Sequence, residues 1–149
     1  MSLSVSLNLT DVADEKARTL INDRLDRYND ARTGMSDVTP LDVHIVDEAT
    51  GEVIGGLVGR TSLGVFFVDY FFVPESLRRQ GHGKRALAMA EAEAVRRGCA
   101  KAVLFTMMIH APEFYENAGY EVFGRIESLP PGNARLFMRK ELSSRGANR

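Results

Sequence analysis

The chain has 149 residues, 44% of them hydrophobic, and a formal net charge of −1. That length suits one compact domain with its own core, and near-neutrality argues against a general attraction to nucleic acid or an anionic membrane. The single cysteine excludes an internal disulfide and fits a reducing, cytoplasmic setting, and no Cys/His cluster has ligand spacing, so no metal is expected.

The start, Met1-Ser2-Leu3-Ser4, lacks a basic and then apolar leader pattern, so no export signal is expected. Residues 4–8 are expected as a first strand. A helix follows, because Ala17, Leu20, Ile21, Leu25 and Tyr28 recur at three- and four-residue spacing with charges between them. Thr10 or Asp11 is its expected cap. Residues 33–40 are polar and carry Gly34, Ser36 and Pro40, which reads as a loop. Leu41, Val43 and Ile45 alternate with Asp42 and His44, the mark of a half-buried strand. Residues 49–52 turn the chain, and residues 53–61 return as a hairpin partner. Gly55, Gly56 and Gly59 in that partner point to a bulge or a close backbone approach.

Residues 65–73 form a third strand, apolar on both faces as a central strand is. This longest apolar run is too short to span a bilayer and carries Asp69 at its centre. Residues 83–97 are helical, with Leu87, Ala90 and Ala94 on one face and Gly98 suited to end the helix. Residues 101–106 are another buried strand. Strand, helix and strand in this span make a βαβ unit with a parallel pair. A short helix at 112–117 begins with Pro112 and stops before Gly119. Strands at 120–126 and 134–142 close the chain. The fold class is therefore α/β with a mixed sheet: an antiparallel meander feeding one βαβ unit. A single domain spans 1–142, with 143–149 as a flexible tail.

The chemistry concentrates in the loop between the third strand and its helix, Arg78-Arg79-Gln80-Gly81-His82-Gly83-Lys84. Glycines let a backbone approach a ligand closely. The free N–H groups and dipole of a helix start favour an anion. Arg78, Arg79, Lys84 and Arg85 add positive charge, and arginine can hold phosphate through two donors. From these residues alone, a glycine turn with solvated basic side chains stays open. A P-loop is excluded because Lys84 precedes Arg85 in place of Ser or Thr. A dinucleotide fingerprint would need a third glycine where Ala86 stands, and an opening βαβ unit in place of the meander.

Val73-Pro74-Glu75-Ser76-Leu77-Arg78-Arg79-Gln80-Gly81-His82-Gly83 resembles the coenzyme A signature of the GNAT superfamily of acyl-CoA-dependent N-acyltransferases. Ala111-Pro112-Glu113-Phe114-Tyr115-Glu116-Asn117-Ala118-Gly119-Tyr120 is similar to that family's second segment, and it stands in the same place, one strand later. The resemblance implies a sheet splayed between strands 65–73 and 101–106, with acetyl-CoA as co-substrate in the gap. It implies that N–H groups of Arg79, Gln80, Gly81, His82, Gly83 and Lys84 hold the pyrophosphate, with Arg78 at the loop entrance. The main chain of Phe71, Phe72 and Val73 would pair with the pantetheine amides. Tyr115 would be the general acid for the departing thiolate. One departure is that Met107-Met108-Ile109-His110 stands where many members carry an Asn toward pantetheine, so three uses of His110 stay open: that contact, a catalytic titration, or a plain surface position.

The residues themselves suggest a home for the amine's proton. Asp69 shares an apolar strand face with Val65, Phe67, Phe71 and Val73, and desolvation there would favour a base. A pairing with Arg60 is the alternative. Asp30 and Asp37 could attract a cationic amine. The expected activity is acetyl transfer to a primary amine of a small molecule by direct attack in a ternary complex, and the resemblance also allows a homodimer. Two other readings stay open: an acyl-CoA-binding sensor or partner module without turnover, and a transferase acting on a protein or peptide amine.

Overall fold

The computed structural model describes residues 2–110 and 112–142. Ala111 of the second motif and the expected tail at 143–149 lie outside them. Contacts group the chain into two units, Met1–Ser36 and Asp37–Arg149.

The first unit holds helix α1, Glu15–Thr33. Asp14, not Thr10 or Asp11, is its cap, and its carboxylate accepts from the Ala17 N–H at 3.0 Å. Thr10 is occupied in a local turn, where its hydroxyl oxygen accepts from the Val12 N–H at 3.0 Å. Gly34 ends the helix at φ 73°, donating its N–H to the Asp30 carbonyl. The strand expected at residues 4–8 is not formed. The alternation of Leu3, Val5, Leu7 and Leu9 supplies only propensity, and a strand exists only with a ladder beside it.

The second unit is a six-stranded open sheet in the order β1-β2-β3-β4-β6-β5. The strands are β1 Thr39–Val46, β2 Val53–Ser62, β3 Val65–Phe72, β4 Lys101–Met107, β5 Glu121–Ser128 and β6 Asn133–Glu141. The first three form the antiparallel meander. Leu63 (φ 50°) and Gly64 (φ 83°) join β2 to β3 in a two-residue turn of the primed type. Asp37 caps this turn by accepting from the Leu63 N–H at 3.0 Å, which gives it a structural use. Helix α2, His82–Arg96, carries the chain from β3 to β4, and these two strands run parallel.

One irregularity shapes everything beyond it. In the β2–β3 ladder Val58 pairs with Tyr70 but Gly59 pairs with Val68, so Asp69 is the extra residue of a β-bulge. Gly59 is required opposite it, because a Cβ there would collide with the Phe67 carbonyl oxygen. The bulge flips the side-chain parity of β3. Before it, Phe66 and Val68 point into the core; after it, Phe71 takes that face opposite Leu57. The expectation that Asp69 and Phe71 share a face is therefore incorrect. The run is also less buried than its composition suggests, with Tyr70 and Phe72 on the opposite, exposed face.

The core lies between the sheet and α2. Leu87, Ala90 and Ala94 of α2 pack with Leu57, Phe66, Leu104 and Met138. Burying a side chain such as Leu87 contributes about 1.5–3 kcal/mol. Arg97, at the C-cap of α2, bolts the helix end to the meander. It donates to the Pro40 carbonyl at 2.9 Å, to the Thr61 hydroxyl at 3.1 Å and to Glu93 at 2.8 Å. Hydrogen bonds from Arg96 and Arg97 hold the Glu93 carboxyl at about 2, below its usual range. Among the described residues, no helix is long and apolar enough to cross a membrane.

Arg97→Ala is expected to cost about 1–3 kcal/mol, since it leaves the buried Thr61 hydroxyl and the Pro40 carbonyl without their donor. Because the Glu93 carboxyl is depressed in the folded state, its stabilisation is present above about pH 4.5 and is lost as pH falls toward 2. Denaturant titrations at pH 7 and pH 3 check both: the stability difference between wild type and Glu93→Gln should shrink at the lower pH.

Candidate active site

Strands β3 and β4 are paired only from Val65↔Lys101 to Val68↔Leu104. Beyond that point the bulge turns β3 away and the two strands separate. A cleft of about 830 Å³ fills the opening. Phe71, Phe72 and Val73 form its β3 wall, and Thr106, Ile109 and His110 form the β4 wall. Arg78, Arg79, Gly81, Gly83 and Lys84 line its mouth, and Phe114 and Tyr115 close the remaining side.

The mouth gathers the cationic side chains of Arg78, Arg79 and Lys84 beside the start of α2. A single 3-10 turn, Glu75–Leu77, precedes the loop, and Gly81 caps α2 at φ 83° with no side chain to satisfy the first N–H groups. Among the described residues, the main-chain N–H groups of Arg79 through Lys84 find no acceptor. The helix dipole adds to their partial positive charge. Arg79 holds φ 66°, a conformation that a non-glycine residue adopts at some cost. The Arg78 Nε donates to the Val73 carbonyl at 2.9 Å, tying the end of β3 to the loop.

Two residues of the expected set do not line the cleft with their side chains. Gln80 donates back to the Ser76 carbonyl at 3.0 Å. His82 has its Nδ1 2.7 Å from an Arg85 guanidinium nitrogen and faces a second groove, beside β1. These side-chain positions leave the N–H groups of both residues untouched.

Tyr115 sits on helix α3, Glu113–Asn117, in an aromatic cluster. Its ring centroid is 5.1 Å from Phe114, 6.4 Å from Phe71 and 6.0 Å from Tyr120. Burial pushes its phenol up to about 12. Its hydroxyl has no partner among the described residues, whereas the neighbouring Tyr120 hydroxyl donates to Glu91 at 2.8 Å. Tyr115 is among the residues lining the cleft.

Asp69 does not occupy the desolvated setting expected of it. Its carboxylate accepts from Arg60, and about a third of the side chain is exposed (35%). Arg60 in turn lies over the Phe67 ring, 4.4 Å from its centroid. Asp69 follows the last β3–β4 pair directly, so it marks the apex of the splay, although it is not among the residues lining the cleft.

The structure also brings in Leu77, Thr106, Ile109 and Phe114, which the sequence reading did not single out for the site. Thr106 gave a usable signal, as a polar residue after the apolar run Ala102 to Phe105. Ile109 gave none, since it belongs to a 3-10 turn, Met108–His110, that periodicity does not reveal.

Comparison with known proteins agrees with this geometry. Residues 9–120 match the model of the Acetyltransferase (GNAT) family. The chain belongs to that family. It is 42% identical over 132 residues to the acetyltransferase Atu2258 of Agrobacterium fabrum, covering 89% of this chain and 96% of that protein. It is 35% identical over 114 residues to the blasticidin-S acetyltransferase of Streptomyces morookaense, covering 74% and 84% respectively. A crystal structure from Agrobacterium tumefaciens, assigned as an acetyltransferase, shares the fold at a TM-score of 0.84 and 40% identity, over 92% of this chain and 99% of that one. The chain is thus an acetyltransferase of the GNAT type, with the mixed open sheet read from its sequence.

The capping glycine supplies a test. Gly81 has open space around it, so a side chain there meets strain through φ alone. Gly81→Val should weaken coenzyme A binding at least about tenfold, since a left-handed β-branched residue costs about 1–2 kcal/mol or more. The fold should persist. Calorimetric titration with coenzyme A beside a thermal melt checks this, and unchanged affinity would remove the loop conformation from the account.

Proposed function

We propose that this acetyltransferase moves the acetyl group of acetyl-CoA onto a primary amine of a small molecule, by direct attack while both are bound. One observation carries the reading: the loop at the start of α2, with its unpartnered N–H groups, and Tyr115, with its unpartnered hydroxyl, line one cleft between the diverging strands. That cleft suits an elongated anionic thioester, with positive charge at its mouth and the apolar rings of Phe71 and Phe114 along its wall. The blasticidin-S acetyltransferase relative favours a small-molecule amine over a protein acceptor.

Each residue has a defined part. The N–H groups of Arg79, Gln80, Gly81, His82, Gly83 and Lys84 hold the pyrophosphate, and Arg79 and Lys84 screen its charge. Phe71, Phe72 and Val73 offer main-chain groups to the pantetheine amides, as an edge strand does. The bound donor supplies an activated acyl thioester. As nitrogen bonds to the acyl carbon and the carbon–sulfur bond breaks, nitrogen must lose a proton and sulfur must gain one. Asp69, at the apex, attracts the cationic amine and takes its proton through water.

The raised phenol defines what Tyr115 can do. A group at about 12 is a weaker acid than a thiol near 8.5, so full transfer to a free thiolate is uphill by roughly 5 kcal/mol. Tyr115 therefore donates a hydrogen bond to the developing thiolate, and yields its proton only as the nitrogen's proton is released.

Free-thiol release from acetyl-CoA, followed over blasticidin S, aminoglycosides, polyamines, amino acids and peptides, tests the proposal. Turnover on a small amine supports it, and tight acetyl-CoA binding with no turnover on any of them contradicts it. Tyr115→Phe should lower kcat by about a hundredfold and leave the KM for acetyl-CoA within about twofold. Tyr115 stays protonated until pH approaches about 12, so kcat should rise as the amine loses its proton and then hold level to about pH 10. An alkaline fall near pH 9 that disappears in Tyr115→Phe would contradict this assignment.

A further inference from the structure

Glu91 is a largely buried carboxylate that the mechanism above does not use. Its side chain is 14% exposed, near the middle of α2, and both oxygens are engaged. One accepts from the Tyr120 hydroxyl at 2.8 Å and the other from the Lys140 ammonium at 2.7 Å. Lys140 also lies 5.6 Å from the Tyr120 ring centroid. Its stem crosses Gly119, where an added Cβ would stand 3.2 Å from the Lys140 Cε. Glu91 thereby joins three elements: the helix that opens the cleft, the segment following α3, and strand β6.

The joined segment is the one that carries Tyr115. The Tyr120 N–H donates to the Tyr115 carbonyl at 2.9 Å, and the Tyr120 ring meets the Tyr115 ring edge-on at an interplanar angle of 76°. A second contact pins α3 to the same helix, because a Cβ at Gly83 would lie 3.4 Å from the Phe114 ring. Helix α3 has five residues, too few to fix its own orientation. Its alignment must come from what it packs against.

We propose that Glu91 is a positioning residue: through Tyr120 it fixes the direction of the Tyr115 hydroxyl relative to the N-terminus of α2. The inference rests on the catalytic reading of Tyr115. One rigid helix then sets both ends of the site. Its first turn locates the anionic part of the donor, and Glu91, about two and a half turns further on, locates the hydroxyl that meets the sulfur. Lys140 neutralises Glu91, so a full carboxylate can sit in the core as a strong acceptor. An ordinary buried ion pair would contribute to stability alone; this one ends on the ring set edge-on to Tyr115.

Two variants test the proposal. Tyr120→Phe removes one hydroxyl and keeps the Glu91–Lys140 pair, and Glu91→Gln keeps the shape and removes the charge. The chain has four tyrosines, so Cζ-labelled tyrosine signals can be assigned by single Phe substitutions. With coenzyme A bound, the Tyr115 signal should shift or split in both variants while coenzyme A affinity stays within about twofold of wild type. An unchanged Tyr115 signal in a folded Tyr120→Phe protein would overturn the proposal.

The kinetic counterpart is a double-mutant cycle on any amine the wild type acetylates. Tyr120→Phe should lower kcat about fivefold to tenfold, and adding it to Tyr115→Phe should cost nothing more. Losses that multiply would show that Tyr120 acts independently of Tyr115 and would overturn the proposal. The two readings fail separately. A wild-type rate in Tyr115→Phe removes the catalytic reading itself, whereas a slow Tyr115→Phe beside a normal Glu91→Gln and Tyr120→Phe removes only the role of Glu91.

Discussion

Two parallel strands that stop bonding to one another after four residues are the constraint on which the rest depends. Val65 to Val68 pair with Lys101 to Leu104, and the ladder then ends although both strands continue. Backbone groups released from a sheet interior need other partners. The Arg78 side chain satisfies the Val73 carbonyl. The gap is the cleft, and along its β3 wall the ladder to β4 is missing. The extra residue at Asp69 initiates the divergence, and Gly59 permits it by leaving room for the Phe67 carbonyl.

Helix α2 organises the site from the other side. Its apolar face anchors it on the sheet, and Arg97 fastens its far end to β1 and β2. The near end is left uncapped by any side chain, at the mouth of the cleft. An uncapped helix start is unfavourable in isolation, and in the proposed complex a ligand with phosphate groups relieves it. The stability of the helix is therefore vested in its core face and C-terminus, which leaves the N-terminus free for binding. The same division explains why the strained Arg79 conformation is tolerated there.

Much of this was legible in the sequence. The alternation in β1, the long apolar run of β3 and the three- and four-residue spacing in α2 gave those elements to within about two residues at each end. The glycine-rich loop and the Phe114-Tyr115 segment together pointed to the family, because the two motifs flank one strand. Three features were not legible. The strand expected at residues 4–8 has the right alternation, yet pairing is a property of two segments and not of one. Reading β3 as an unbroken two-residue repeat put Asp69 on the Phe71 face, since a bulge leaves only a faint trace, here the glycine at position 59. The Tyr120–Glu91–Lys140 network joins residues 49 positions apart along the chain, a connection that no local pattern encodes.

Family membership defines an acetyltransferase, and the proposed use of the cleft has two parts: an anion held at the start of α2 and a chain laid along β3. Amide hydrogen exchange, with and without coenzyme A, tests this most directly. The account predicts slowed exchange at Arg79 through Lys84 and at Phe71 to Val73, with β5 and β6 unchanged. Binding of coenzyme A that leaves those amides exchanging as before, or protects a different part of the sheet, would contradict it.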